Sequence, residues 1–490
     1  MYKDATPKEI EEAMESAWMA FHHYKKVSLQ DRMQFMNAIA DGLENSGDDL
    51  IKTAMGETNL PEARLRSERG RTVFQLRQYG LACAKGNWLD VRIDTEDFAS
   101  KPPRPDIRKT MVPLGPVIVF GASNFPFAYS TAGGDTACAF AAGCPVIVKA
   151  HPAHAKTSEM VAAIITDAAD KCGLPQGIFA HLYGGVETGK ALVMHHHTKA
   201  VGFTGSFTAG KQLFDWANSR KDPIPVFSEM GSTNPVFLLP EKLNNDCKTI
   251  ASMYAESITQ GVGQFCTNPG LIIGIKGNDL EIFKNELTEA IKKVAPQKML
   301  HGGIAGAYEK LKENALNQSG VKQIAATEVE NDIIEGKPVV ACVSAGEFIS
   351  SPVLHHEVFG PFSIIIECES EAEMINVVKS FDGQLTATIM GTENELHTHT
   401  ELLDFIQNIC GRFIINGVPT GVAVCLSMQH GGPFPATTDS RFTSVGADGI
   451  KRFVRPVAYQ NWPDSLLPAE LQRANPLKIW RTVDNQLTKE

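Results

Sequence analysis

The sequence predicts an α/β fold built on parallel sheets with helices on both faces. Two observations carry that reading. Short runs of β-branched and apolar residues, PVIVFG at 116–121 and PVIVK at 145–149, alternate with helix-length stretches. Such alternation is what crossover-connected parallel strands require. The same rhythm resumes past residue 230, where 271–274, 362–367, 386–390 and 412–416 read as strands separated by helices. Two doubly wound units are therefore expected, with no internal repeat and no low-complexity linker between them.

Taken in order, the first ~85 residues read as helical. Met33, Met36, Ile39, Ala40 and Leu43 recur at three- and four-residue spacing and form one apolar stripe. Ser28 with Asp31 can cap its start. Residues 62–85 read as another helix, with Gly86 as its stop. Residues 89–108, LDVRIDTEDFASKPPRPDIR, mix alternating apolar positions, charges and three prolines, which suits an edge hairpin or arm. The alanine-rich STAGGDTACAFAAG fits a tightly packed helix, and 158–172 reads as a helix ended by Gly173.

Bulk properties narrow the function. With 490 residues, 43% of them hydrophobic and 21% charged, the chain suits a soluble globular protein of two or three domains. A net charge of −10 without any Lys/Arg block argues against a nucleic-acid partner. The start, MYKDATPKEIEEAMESAW, lacks the apolar core of a secretory signal, and the longest apolar runs are too short for a bilayer. A cytoplasmic protein with no membrane partner is expected. Ten scattered cysteines without a CxxC pair suit reduced, mostly buried thiols.

Three segments carry candidate chemistry: GASNFPFA at 121–128, FSEMGSTNP at 227–235 and GQFCTNPG at 263–270. Cys266 lies in a polar, glycine-flanked loop rather than in an apolar run, which suits a reactive thiol; a structural thiol is the competing reading. Glu229 ends an apolar run before Gly231, a position that places a carboxylate at a strand end facing a cleft; a solvated loop carboxylate competes. Asn124 closely follows a strand and its amide can donate to an oxyanion, or simply make the turn before Pro126.

No GxGxxG follows a strand. GSFTAGKQ at 205–212 approaches a phosphate-cradling loop, but Gln212 replaces the Ser or Thr that would hold magnesium, so a nucleotide triphosphatase is rejected. A pyrophosphate at the helix N-terminus remains compatible with it. His195, His196 and His197 are consecutive and cannot all face one ion from a regular element, and no HExxH or Cys/His quartet occurs. No metal is expected.

In order, these segments resemble the aldehyde dehydrogenase superfamily over nearly the whole chain. The resemblance implies that Cys266 in GQFCTNPG is the nucleophile, Glu229 in EMG the general base and Asn124 in SNFPF the oxyanion amide. It implies that Lys149 in PVIVK contacts the adenosine ribose, that Gly205, Ser206 and Gly210 form the cofactor turn, and that Glu357 and Phe359 in HEVFGP hold the nicotinamide end. The implied reaction oxidises an aldehyde to an acid with NAD or NADP, through a thiohemiacetal and a thioester on the cysteine.

Within the superfamily, GASNFPFAYSTAGGDTACAFAAGCPVIVKAHPAH and QHGGPFPATTDSRFTSVG resemble the branch of α-ketoglutaric semialdehyde (2,5-dioxopentanoate) dehydrogenases and bacterial NADP-linked long-chain aldehyde dehydrogenases. The first substrate is expected and fatty aldehydes are the alternative; a Cys-dependent acyl transferase or esterase is the alternative of another class. The Glu usually found after the ribose Lys is missing, which favours NADP slightly, with Lys156 or Thr157 as phosphate partners. Arg104, Arg108 and Arg441 are candidates for holding a substrate carboxylate. TDSRFTSVG replaces the family's late GRE-type segment, so no role is carried over from it. The resemblance also implies a dinucleotide-binding domain of 1–88 with 109–230, a catalytic domain of 231–440, and a β arm of 89–108 with 470–490. The alternating tail, IWRTVDNQL, is expected to pair with a neighbour's sheet in a homodimer or homotetramer.

Overall fold

The computed structural model describes residues 2–330 and 332–490. Four helices open the chain: α1 (Pro7–Tyr24), α2 (Leu29–Glu44), α3 (Asp49–Thr58) and α4 (Glu62–Lys85). The stripe on α2 is buried as its spacing requires, with Phe35, Met36, Ile39, Ala40 and Leu43 closed to solvent. Ser28 caps α2 by accepting the Asp31 N–H at 3.1 Å. Gly86 ends α4 in the left-handed conformation.

The chain then enters β1 (Arg92–Asp94) and β2 (Ile107–Pro113) before a five-stranded sheet of β3 (Val117–Phe120), β4 (Val146–Lys149), β5 (Phe179–Leu182), β6 (Ala200–Thr204) and β7 (Val226–Glu229). All its strands are parallel, in the order β5-β4-β3-β6-β7. The chain first winds outward from β3 to β5, then returns to the other side of β3 through β6. A crevice opens at the carboxyl ends where that direction reverses. The covering helices include α5 (Gly134–Ala142), α6 (Ala155–Lys171), α7 (Val186–Met194) and α8 (Phe207–Ser219). The alanines of α5 are buried at 0% exposure, so small side chains let this helix lie close to the sheet.

A second sheet holds seven strands. They are β8 (Val236–Leu238), β9 (Leu271–Ile275), β11 (Lys322–Ala326), β13 (Val339–Ser344), β14 (Phe362–Cys368), β15 (Gln384–Met390) and β16 (Cys410–Ile415), in the order β11-β13-β14-β9-β8-β15-β16. Only β11 runs antiparallel to its neighbour. A short ribbon pairs β10 (Gln297–Lys298) with β12 (Glu335–Gly336). The long helix α9 (Pro240–Thr259) lies between β8 and the loop that leads to β9.

The third sheet is the arm. Its order is β17-β2-β1-β18-β19, with β17 (Val454–Gln460), β18 (Arg481–Val483) and β19 (Gln486–Thr488). The tail pairs with its own chain, Arg92 opposite Thr482, and β19 forms one edge of the sheet. The strand β17, missed by the sequence reading, pairs with the full length of β2. Two candidate substrate cations are spent inside this arm. Arg108 is buried against Asp106 and Asp464, at 2.9 and 2.7 Å, and Arg104 pairs with Asp484 at 2.9 Å. Among the described residues no helix is long and apolar enough to cross a membrane.

Candidate active site

The two large sheets meet end to end. Glu229 is the last residue of β7, so it stands at the carboxyl edge of the first sheet. Residues 264–270 precede β9, residues 357–360 precede β14, and Gln384 opens β15. The second sheet therefore offers its amino edge. The crevice rule for strand ends describes the first half of the site and not the second.

Backbone geometry builds the Cys266 loop. Gly261, Val262 and Gly263 take positive φ in succession, at 57°, 59° and 64°. A side chain at Gly263 would meet the Gly360 carbonyl carbon at 2.3 Å, so only glycine lets the two loops touch there. The Asn234 amide donates to the carbonyls of Cys266 and Asn268, each at 2.9 Å. Asn268 donates in turn to the Gly360 carbonyl at 3.1 Å. The Asn124 amide donates to the Gln264 carbonyl at 3.1 Å, which puts it beside the same loop.

The sulfur of Cys266, a carboxylate oxygen of Glu229 and a ring nitrogen of His430 all lie within 4.8 Å of one another. The sulfur is 3.6 Å from His430 Nε2, and that nitrogen is 3.0 Å from Glu229 Oε1. The second contact is not aligned as a hydrogen bond, so the imidazole is hydrogen-bonded to the thiol and lies in close contact with the carboxylate. Ser444 donates to the other oxygen, Glu229 Oε2, at 2.5 Å. His430 is closed to solvent. Its backbone is clamped by the 444 N–H at 2.9 Å and by the Thr443 hydroxyl at 2.9 Å.

The electrostatics follow from this packing. Burial would raise the Glu229 carboxyl, but the electrostatic pull of the nearby His430, with the hydrogen bonds from Ser444 and Cys266, more than offsets it and holds the group below its usual range. Burial pushes the Cys266 thiol well up, and the carboxylates of Glu229 and Glu357 push it further. The resting state is thus a thiol beside a carboxylate. Burial also raises Glu357 to about 8, against a backbone hydrogen bond from Ser232. Glu357 and Phe359 line a cleft of about 350 Å³ with Ser232, Thr233, Gly263 and Phe265.

The predicted cofactor residues gather at the carboxyl edge of the first sheet. Gly205 follows β6, and its N–H donates to the Glu229 carbonyl at 3.0 Å. That bond ties the turn to the candidate base. Ser206 caps α8 through the Ala209 N–H, with Gly210 packed against Met230. The N-terminus of this 13-residue helix and the half-buried Lys149 ammonium, lowered by burial, have the donor chemistry that a dinucleotide pyrophosphate and ribose need. Lys211, which gave 205–212 its likeness to a phosphate loop, pairs with Asp215 at 2.6 Å instead.

Two sequence readings are corrected here. Lys156 and Thr157 are not free to take a phosphate. Both backbone N–H groups and the Thr157 hydroxyl donate to the Glu57 carboxylate from α3, at 2.7–2.9 Å, and the Lys156 ammonium pairs with Glu159. Arg441 is spent on Asp439 at the surface. His196 and His197, in a loop rather than a regular element, do converge with Glu15 so that three ligand-capable atoms lie within 4.8 Å; His195 turns to Glu11. The sequence reading missed His430 and Ser444. Ser444 lies in TDSRFTSVG, the segment that departs from the family pattern, and His430 lies upstream of it in QHGG. The available signal was His430 followed by Gly431 and Gly432, two glycines in a row where backbone must pass closely.

This arrangement, a thiol flanked by a carboxylate and an imidazole below a dinucleotide crevice, is that of an aldehyde-oxidising enzyme. A family model described as "Aldehyde dehydrogenase family" matches residues 1–444, and the chain belongs to that family. It is similar to α-ketoglutaric semialdehyde dehydrogenase 2 of Azospirillum brasilense, 47% identical over 98% of this chain and 92% of that protein. It is also similar to the α-ketoglutaric semialdehyde dehydrogenase of Acinetobacter baylyi, 44% identical over 100% of this chain and 93% of that one. Among solved structures, the fold is shared with a 1-pyrroline-5-carboxylate dehydrogenase from Thermus with bound NAD. That match has a TM-score of 0.79 and 21% identity, covering 93% of this chain and 86% of that one. A Streptococcus pyogenes succinic semialdehyde dehydrogenase with NADP+ matches with a TM-score of 0.79 and 17% identity, covering 94% and 97%. The two cofactors in those structures agree with a family that uses NAD or NADP.

Proposed function

We propose that the protein oxidises an aldehyde carrying a distal carboxylate, 2,5-dioxopentanoate to 2-oxoglutarate, with Cys266 as nucleophile. The juxtaposition of Cys266, Glu229 and His430 carries the mechanism; the full-length similarity to two semialdehyde dehydrogenases supports the substrate. The thiol proton passes to the Glu229–His430 pair as sulfur attacks the carbonyl carbon. Asn124 and the Cys266 N–H donate to the oxyanion that forms. A bound nicotinamide supplies the redox step by accepting hydride. Glu229, relayed by His430, then takes a proton from the water that hydrolyses the thioester. Ser444 holds the carboxylate in orientation throughout.

The Glu57 carboxylate of α3, held by the first amides of α6 after β4, supplies negative charge where a 2′-phosphate would compete, which supports NAD over NADP. The arm supports a homodimer or homotetramer: Trp462, Leu466, Trp480 and Leu487 leave apolar surface open on it, at 47–69% exposure.

The test is a panel of 2,5-dioxopentanoate, shorter ω-oxo acids and long-chain aldehydes, each with NAD and NADP, run on wild type and Cys266→Ser. Wild type should favour the oxo acids, and the serine variant should bind cofactor yet form almost no reduced nicotinamide. Preference for fatty aldehydes would move the substrate assignment. Full turnover by Cys266→Ser would remove the nucleophile.

A further inference from the structure

We propose that Arg71 and Arg412 bind the carboxylate at the far end of the substrate, and so make the thiol pocket selective for aldehydes with an anionic tail. The inference rests on the ω-oxo acid reading above and assigns the residues that enforce it.

The two arginines come from distant parts of the chain. Arg71 lies within α4, and Arg412 within β16. Both guanidinium groups reach the same loop. Arg71 Nη1 donates to the Val422 carbonyl. Arg412 donates from Nη1 to the Gly421 carbonyl at 2.9 Å and from Nη2 to the Pro419 carbonyl at 2.5 Å. Arg71 is also within hydrogen-bond reach of the Tyr129 hydroxyl, and the charge of Arg412 is felt by both Tyr129 and Cys266. Arg412 therefore lies near the reactive sulfur, and Arg71 reaches the neighbouring Tyr129 and the same loop.

What marks these two groups is their lack of an anion. Among the described residues neither has a carboxylate within 4.0 Å, whereas Arg64, two turns earlier on the same helix as Arg71, pairs with Glu68 at 3.6 Å. Their partners are carbonyl dipoles, which orient a guanidinium but do not neutralise it. Arg412 Nε is buried without any hydrogen-bond partner. A partly desolvated cation with an unspent donor, in a chain of net charge −10, is costly unless an anion arrives. A carboxylate matches the guanidinium fork in charge and in spacing. The neighbouring walls suit the carbon chain between the two ends. Phe125 packs edge-on to Tyr129 at 5.1 Å and to Phe265 at 5.7 Å, and these rings adjoin Asn124 and Cys266 in sequence. Tyr129 is held neutral by burial, so its hydroxyl can donate to the same carboxylate.

The experiment compares Arg71→Gln, Arg412→Gln and the double variant with wild type, using 2,5-dioxopentanoate and pentanal, which has the same chain length and no acid group. KM for the oxo acid should rise about tenfold to a hundredfold per arginine, the usual weight of a hydrogen bond to a charged group, while pentanal kinetics shift far less. Glutarate, which has the carboxylate but no aldehyde, should inhibit wild type competitively and lose potency in the variants. Lysine at either position should recover part of the oxo-acid affinity. Equal losses on both aldehydes, or undiminished glutarate inhibition, would overturn the assignment. If wild type prefers the oxo acid and the variants keep that preference, the arginines are wrong and the substrate class stands. If wild type itself prefers pentanal, the substrate class falls and the arginine assignment with it.

Discussion

Replacing Glu229 with Gln should make Cys266 more acidic, not less. The carboxylate and sulfur lie at most 4.8 Å apart, and two like charges at that distance repel by about 3.5 kcal/mol at an effective permittivity of about 20. Removing the carboxylate charge is therefore expected to lower the thiol pKa. The sign is simple. Glu229 raises the thiol by opposing thiolate charge; removing the charge lowers it, and the reactive fraction appears at lower pH. The assay is the rate of iodoacetamide alkylation of Cys266 against pH, followed by intact mass. In wild type the rate should climb through the alkaline range, and in Glu229→Gln the midpoint should move down. Mixing the variant with cofactor and oxo acid should give about one reduced nicotinamide per site, then a slow steady state, because attack survives and thioester hydrolysis does not. An unmoved or raised midpoint, or no burst, would refute this account of the pair.

His430→Asn keeps a side chain of similar reach but removes the group shared by sulfur and carboxylate. The steady-state rate should fall about 10²–10⁴-fold, the usual weight of a positioned acid–base group, with the pH profile moved; a loss confined to stability would make His430 a packing residue. Asn234→Ala removes the donor to two carbonyls of the Cys266 loop. Unfolding free energy should drop by about 1–3 kcal/mol in a chemical denaturation, with kcat falling more than KM rises. Glu57→Gln frees the first amides of α6 from an anion, so the NADP affinity measured by nicotinamide fluorescence should improve relative to NAD. An unchanged ratio would remove Glu57 from cofactor selection.

The strands and helices that frame the site were legible because their apolar runs are short, β-branched and bounded by glycine or proline. PVIVFG and PVIVK became β3 and β4, and the stop at Gly86 ended α4. Glycine and proline neighbours set Cys266, Glu229 and Asn124 apart from core sequence, and their ordered resemblance to the family singled them out. His430 was not. Its role comes from a loop that folds back across β7 through the bridge between Glu229 and Thr437, a contact with no local pattern. Arg71 and Arg412 were hidden for a similar reason. One sits on an ordinary helix face and one at a strand position, and only the packed loop at 419–422 shows that they share a destination. Arg104 and Arg108 were the more conspicuous choices, lying in a charged stretch, but the arm's own carboxylates claim them.

The meeting of the two sheets edge to edge has a consequence for how reactivity is controlled. Sulfur and carboxylate are delivered by different halves of the molecule, so neither half alone carries an aldehyde-oxidising centre. A hinge of small amplitude across residues 230–235 would alter the thiol's environment while leaving every strand register intact. Cysteine labelling would then work as a gauge of how tightly the halves are seated, sensitive to displacements that spectroscopic measures of secondary structure would not register.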